Sequence, residues 1–449
     1  MKDLTKGSPS RLILSFAIPI FFANLLQLTY SLVDTRIVGS FLGEDALAAV
    51  GATSTLSNLI IGFLLGLANG FAIITAQRYG AKDIAGVKKS FAASLMMGTG
   101  ISVLLTAAGL TPYSVEALSC FIAGTKCEQI FLRKTEEEGF PETMCSYHRV
   151  FLGAALTGIL PAPKCMIYTN LACDGNMMTF PYLKEKYSCP GFYIDVPYEK
   201  TQSSIKYVAN QLKELKHFLE DITEKKITEE AVENAVTNSR KAAAHFKSQL
   251  DLRKDHDPVT SLTNELYAIF MCHLLAGSET SLKYTELLLE DVKNAPKGDG
   301  LHVLWMHIMP FLQQPVKETF NYSKTMHISA CDFVADGFRE MQAADPYEAM
   351  AEKMVHCIYN GSVKERIQMA EKLAKQTDAD GGILFAHWGC KGTIGASGLI
   401  KNVLETAGLP TMILDGDGCN PANTSDGQVS TRLQAFAEML EKNKEEKHS

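Results

Sequence analysis

Apolar and polar positions follow two different scales along this chain. Three stretches carry no charged residue: Leu12–Val33, Ala46–Gln77 and Ser90–Val115, of 22, 32 and 26 residues. A helix needs about 20 apolar residues to cross a bilayer. The pattern therefore predicts about three membrane-crossing helices within residues 1–110, with buried core helices as the alternative. No short polar cleavage region follows the first stretch, which argues against a removable signal peptide.

After Thr111 the runs shorten. Cys165–Thr169, Phe192–Val196, His302–His307, Gly382–His387 and Thr411–Leu414 predict buried parallel strands, bounded by Gly, Pro and Asn. Ser146–Leu160 and Ile394–Ala407 predict helices. Gln202–Asn294, rich in Lys, Glu, Ala and Leu, predicts three or four more. Alternating strand and helix implies an α/β chain. The expected fold is two Rossmann-like lobes with parallel sheets joined by a helical segment, preceded by a short all-α transmembrane fragment. The expected division is 1–110 for that fragment, 111–201 for a truncated first lobe, 202–300 for the helical connector and 301–449 for the second lobe.

Charge and cysteine content sharpen the seam. Residues 1–110 hold 8 Lys and Arg against 5 Asp and Glu, and the remainder holds 35 against 45. All 11 cysteines lie after residue 110. The acidic balance of the larger piece argues against nucleic acid as a partner. In a cytosolic setting so many cysteines would not suggest disulfides, and without a C-x-x-C pair the zinc-ribbon and thioredoxin readings fail. Most are expected to be small buried hydrophobes.

Three cysteines have surroundings suited to chemistry. Cys173 and Cys390 each lie just beyond a predicted strand, and open α/β sheets bind ligands at the carboxyl ends of their strands. Cys145 immediately precedes a predicted helix, whose N-terminus favours thiolate over thiol. Spacings of 28 and 217 residues between them are weak evidence alone. No G-x-x-x-x-G-K-[ST] phosphate loop is present.

The contexts of these cysteines are specific in combination. Met144-Cys145-Ser146-Tyr147-His148-Arg149-Val150-Phe151-Leu152-Gly153, Thr169-Asn170-Leu171-Ala172-Cys173-Asp174-Gly175 and His387-Trp388-Gly389-Cys390-Lys391-Gly392-Thr393 resemble, in order, three motifs of the 2-hydroxyacyl-CoA dehydratase and benzoyl-CoA reductase family. Leu414-Asp415-Gly416-Asp417-Gly418 and the segment Ser425–Phe436 extend the likeness over residues 111–449. The resemblance implies a [4Fe–4S] cluster held by Cys145, Cys173 and Cys390, with one iron open to substrate oxygen. It implies a second related subunit, an acyl-CoA substrate, and a separate ATP-hydrolysing activator that delivers one electron to form a ketyl radical anion. It also implies a cytoplasmic setting. Dehydration of an (R)-2-hydroxyacyl-CoA is the leading expectation; a benzoyl-CoA or double-cubane-type reductase is the alternative.

Around the third cysteine, His387 and Trp388 are expected to line the cluster. Lys391, Gly392, Gly395 and Gly398 form either a strand-to-helix turn or a phosphate site. Arg432 is expected in a salt bridge, Asp415 and Asp417 in loop capping, and Cys419 in no special role. The sequence names no catalytic acid or base.

The first piece resembles the start of a multidrug and toxin extrusion transporter. The likeness rests on the helix around Pro19, on Leu32-Val33-Asp34-Thr35-Arg36-Ile37-Val38-Gly39, on Ala48-Ala49-Val50-Gly51-Ala52, and on Ala68-Asn69-Gly70 followed by Ala76-Gln77-Arg78-Tyr79-Gly80-Ala81-Lys82-Asp83. That covers about a quarter of a transporter built from two six-helix bundles, too little for a pathway. Lys2, Lys6 and Arg11 place the N-terminus in the cytoplasm by the positive-inside rule. Three crossings would then put the dehydratase-like piece outside, away from CoA thioesters and activator. That conflict predicts an inactive fusion or a truncated transporter, joined by rearrangement, rather than a working membrane-anchored enzyme.

Overall fold

The structure is a computed structural model that describes residues 101–110, 114–298, 300–311 and 313–448. The chain divides into two units, Met1–Ser94 and Leu95–Ser449, and every described residue belongs to the second. The charge-free stretches Leu12–Val33 and Ala46–Gln77 lie outside the described residues.

Of the third stretch, Ser90–Val115, residues 101–110, 114 and 115 are described. From residue 101 it is a six-residue helix, α1 (Ser102–Ala107), followed by Gly109 at φ +66°. At 1.5 Å per residue α1 spans about 9 Å, against roughly 30 Å of hydrocarbon. Its Val103, Leu104 and Leu105 are buried in a protein core. Among the described residues no helix is long and apolar enough to cross a membrane.

Three short helices follow: α2 (Val115–Gly124), α3 (Glu128–Glu137) and α4 (Ser146–Leu156). They pack with β1 (Met166–Thr169) and α5 (Asn176–Tyr187) around Phe151, Leu152 and Val150, all fully buried. β1 pairs in parallel with β2 (Gly191–Ile194), Met166 opposite Gly191. The first lobe thus has a two-stranded sheet.

The connector is four helices: α6 (Gln202–Thr223), α7 (Glu229–Leu252), α8 (Leu262–His273) and α9 (Glu279–Asn294). Local chemistry sets three of their starts. The hydroxyls of Thr201, Thr228 and Ser278 accept hydrogen bonds from the backbone N–H groups of Ser204, Ala231 and Ser281, the usual way to satisfy orphan donors of a first turn. Apolar positions such as Ile205, Val208, Leu212, Leu215 and Leu219 recur at helical spacing and form one buried stripe with Val232 and Val236. α1 packs into that same core, and Thr106 Oγ1 donates to the carbonyl of Ala276 at 3.2 Å.

The second lobe holds β3 (Leu301–Met306), α10 (Gln314–Phe320), β4 (Met326–Cys331), α11 (Asp332–Gly337), α12 (Pro346–Val355), α13 (Val363–Gln376), β5 (Gly381–His387), α14 (Lys391–Thr406), β6 (Thr411–Gly416) and α15 (Asp426–His448). Its sheet runs β4-β3-β5-β6, all parallel. β3 and β5 are buried along their whole length, as expected for strands covered on both faces. The chain winds one way from β3 to β4 and the other way to β5. The topological switch point therefore lies between the carboxyl ends of β3 and β5, where such sheets bind ligands.

Candidate functional site

Cys390 sits at that switch point. It is the N-cap of α14, and its Sγ lies 3.9 Å from Nε2 of His307, the residue after β3. Thr393 Oγ1 is 3.1 Å from the same sulfur. His307 holds φ +74°, an uncommon conformation for a side-chain-bearing residue, and its backbone N–H donates to Asp332 Oδ1 at 2.7 Å. The strand end is thus fixed in a strained turn beside the cysteine.

Cys145 comes from the other lobe. It is the N-cap of α4, as its position before a predicted helix implied. Two contacts bring it to β5: its Sγ lies 3.3 Å from His387 Nε2, and its backbone lies against Gly389. It makes no side-chain capping bond, but the nearby backbone N–H groups of Tyr147 and His148 in the first turn of α4 favour its thiolate.

Cys173 follows β1, and the backbone N–H groups of Gly175 and Asn176, where α5 begins, favour its thiolate. Its Sγ lies 3.1 Å from His148 Nε2. Gly175 is needed for that approach, because a β-carbon there would stand 2.8 Å from His148 Nε2. His148 is three residues beyond Cys145, on the same face of α4; its ring links the second cysteine to the helix that the first one caps.

The three thiols act on one another. Burial pushes the Cys145 thiol well up, and charge on Cys173 or Cys390 pushes it further. Burial raises Cys173 to about 12, with contributions from the Glu116 carboxylate and from Cys390. Burial lowers both His148 and His387 to about 4, so both rings are neutral near pH 7. His307 is lowered as well, by burial and then by the Arg366 guanidinium.

Among the described residues no three His, Cys, Asp or Glu side chains converge closely enough to hold a single metal ion. A four-iron cluster asks for a wider arrangement, with thiolates roughly 6–7 Å apart for metal–thiolate bonds near 2.3 Å. The three cysteines suit such a group chemically. Two of the cysteines sit at helix starts, whose backbone N–H groups favour negative charge on sulfur. Burial and mutual repulsion oppose ionisation without a cation, so metal binding and loss of the thiol protons are coupled.

The other residues singled out by sequence fall into place individually. Trp388 is 44% exposed and lines a pocket of about 380 Å³ with Asp415, Asn423, Ser425 and Arg432. Arg432 Nη1 pairs with Asp415 at 2.6 Å, the salt bridge expected of it. Asp417 holds its loop: Oδ1 accepts from Ser146 Oγ at 2.5 Å and from the N–H groups of Cys419 and Asn420 at 2.9 Å. Gly392, Gly395 and Gly398 leave open space along α14. Cys419 is fully buried.

Sequence reasoning passed over His307, Asp332, Tyr359 and Arg366. They surround Cys390 from behind: Arg366 Nη1 donates to Gly392 O at 2.8 Å, its guanidinium lies 4.7 Å from the Tyr359 ring centre, and Tyr359 reaches Asp332 at 3.4 Å. Only His307 carried a usable signal, as the last residue of a predicted strand.

The family described as 2-hydroxyglutaryl-CoA dehydratase, D-component, matches residues 102–440, and the family described as MatE matches residues 19–127. The two matches overlap over α1 and α2. A benzoyl-CoA reductase subunit of Thauera aromatica is 21% identical over 340 residues, 68% of this chain and 78% of its own. The (R)-phenyllactyl-CoA dehydratase alpha subunit of Clostridium sporogenes is 22% identical over 337 residues, 69% of this chain and 80% of its own. The probable multidrug resistance protein YpnP of Bacillus subtilis is 34% identical over 107 residues, 24% of each chain.

Proposed function

This chain belongs to the 2-hydroxyglutaryl-CoA dehydratase D-component family, and from that premise we propose that it is the iron–sulfur subunit of an (R)-2-hydroxyacyl-CoA dehydratase, a lyase that removes water from a CoA thioester. Cys145, Cys173 and Cys390 hold a [4Fe–4S] cluster. The observation that carries the reading is the meeting of the two lobes at Cys145, which touches β5 beside Cys390 while His148, one turn along α4, touches Cys173.

When bound, such a cluster supplies one-electron chemistry and, with three protein ligands, an iron open to a substrate oxygen. The chain's own residues do the rest. The starts of α4 and α5 favour negative charge on two sulfurs, packing limits the water around them, and the neutral imidazoles of His148 and His387 lie against them. A second related subunit and a separate ATP-dependent activator complete the enzyme, in the cytoplasm. The MatE-like residues carry about a quarter of a transporter and no transport of their own.

The test is iron content of the full chain prepared without oxygen. The wild type should hold about four irons and show the broad absorbance of a [4Fe–4S] cluster. Cys145→Ala, Cys173→Ala and Cys390→Ala should each lose iron, while Cys357→Ala, half-buried beside Asp336, should not. Full iron in all three site variants overturns the reading. Incubating the loaded protein with activator, partner subunit and (R)-2-hydroxyacyl-CoA, with enoyl-CoA as the product sought, separates dehydratase from reductase.

A further inference from the structure

The two histidines at this site present opposite ring nitrogens to their cysteines. His387 closes β5 and is 1% exposed. The backbone N–H of Gly418 points at its Nδ1 at 3.1 Å. An amide N–H only donates, so Nδ1 carries the lone pair. A ring that accepts at Nδ1 keeps its single proton on Nε2, 3.3 Å from Cys145 Sγ.

The surroundings hold this tautomer. The Asp417 carboxylate lies 3.9 Å from Nδ1 and would favour a proton there. Its Oδ1, however, already accepts from Ser146, Cys419 and Asn420, and Oδ2 accepts from Asn423 at 3.1 Å. Those bonds pin the loop that delivers the Gly418 N–H. The Tyr147 ring meets the imidazole edge-on at 4.9 Å and restricts its rotation.

His148 is wired the other way. The hydroxyl of Thr179 donates to Gly175 O at 2.9 Å, so it receives rather than gives at His148 Nδ1, 3.1 Å away. Nδ1 therefore carries a proton, and in a singly protonated ring the bare Nε2 faces Cys173. At Cys390 the imidazole of His307 stands off at 3.9 Å.

We propose that His387 is a positioning residue that donates its Nε2 proton in a hydrogen bond to the sulfur of Cys145. The proposal rests on the iron–sulfur reading above. An N–H dipole aimed at sulfur stabilises added negative charge, so it raises the potential at which the group accepts an electron. His148 does no such thing for Cys173.

Two measurements on the full chain test this. In the metal-free protein with ¹⁵N-labelled histidine, long-range proton–nitrogen correlation reads the tautomers directly. His387 should be protonated on Nε2 and His148 on Nδ1; His387 protonated on Nδ1 overturns the proposal, whether or not iron ever binds. In the anaerobically loaded protein, the midpoint potential of His387→Leu should shift negative at full iron content. His387→Gln, which keeps an amide N–H, should return toward the wild type. An unchanged potential in a fully loaded His387→Leu variant also overturns it. A wild type that binds no iron defeats the cluster reading instead and leaves the tautomer result to decide the hydrogen bond.

Discussion

A β-carbon placed on Gly389 would stand 2.6 Å from the Cα of Cys145. The two residues are far apart in sequence, and their backbones touch only because Gly389 has no side chain and holds φ +81°. Gly389→Ala therefore meets strain and a clash at once. We expect about 1–3 kcal/mol of lost stability and loss of iron. Gly395→Ala, on open helix surface in α14, should gain about 0.5–1 kcal/mol. Urea unfolding of both variants with the wild type checks the contrast; equal midpoints would contradict it.

Asp332 should make the fold less stable as pH rises through neutrality. Burial lifts its carboxyl from 3.8 to about 6, against the opposing pull of the Arg366 guanidinium; Asp336, Tyr359 and Cys331 are the other titratable neighbours. Its folded value lies above its unfolded one. The group's contribution is thus full below about pH 4 and is lost as pH rises past about 6. A shift of this size corresponds to about 3 kcal/mol. Asp332→Asn should remove that slope, so its stability relative to the wild type should climb by about that amount between pH 4 and 7.5. Parallel stability curves for the two proteins over that range would exclude it.

Leu104 tests whether α1 is part of the folded unit that begins near residue 95. It is fully buried in the helical core. Leu104→Ala should cost about 2–5 kcal/mol, read as easier proteolysis and earlier unfolding of the whole unit. A residue facing lipid would leave that unit's unfolding unmoved.

Topology follows from the same helix. With Ser102–Ala107 taken into the core, two charge-free stretches of membrane length remain, Leu12–Val33 and Ala46–Gln77. If these two cross as the sequence predicts, the positive-inside rule returns the chain to the side of Lys2, Lys6 and Arg11, the cytoplasm. The exposed Cys127 should then react with a membrane-impermeant maleimide in broken cells and not in intact ones, with Cys127→Ser as the control. Labelling in intact cells would place the unit outside.

Much of the scaffold was readable from apolar runs. The predicted strands Cys165–Thr169, Phe192–Val196, His302–His307, Gly382–His387 and Thr411–Leu414 appear with ends shifted by one or two residues. The helical stretch from Gln202 resolves into four helices ending at Asn294. β4 escaped notice because Met326-His327-Ile328-Ser329-Ala330-Cys331 interleaves polar residues and runs straight into α11 without a Gly or Pro. At the site, motif context pointed to the cysteines. Their histidine wiring was illegible, because the groups that fix the rings, Gly418 for His387 and Thr179 for His148, each lie 31 residues away. No periodicity encodes a bond of that span.

The burial of α1 also imposes a waiting time. Thr106 bonds to Ala276, 170 residues later in the chain. At about 5–20 residues per second, the ribosome needs roughly 10–30 s to make that partner. Through that interval Val103, Leu104 and Leu105 have left the ribosome and have no core to enter. They follow charge-free sequence whose apolar pattern predicts membrane spans. The destination of the segment is then a race between insertion and synthesis of α6 and α7. Slowing translation between codons 110 and 276 favours the bilayer, and speeding it favours the enzyme fold.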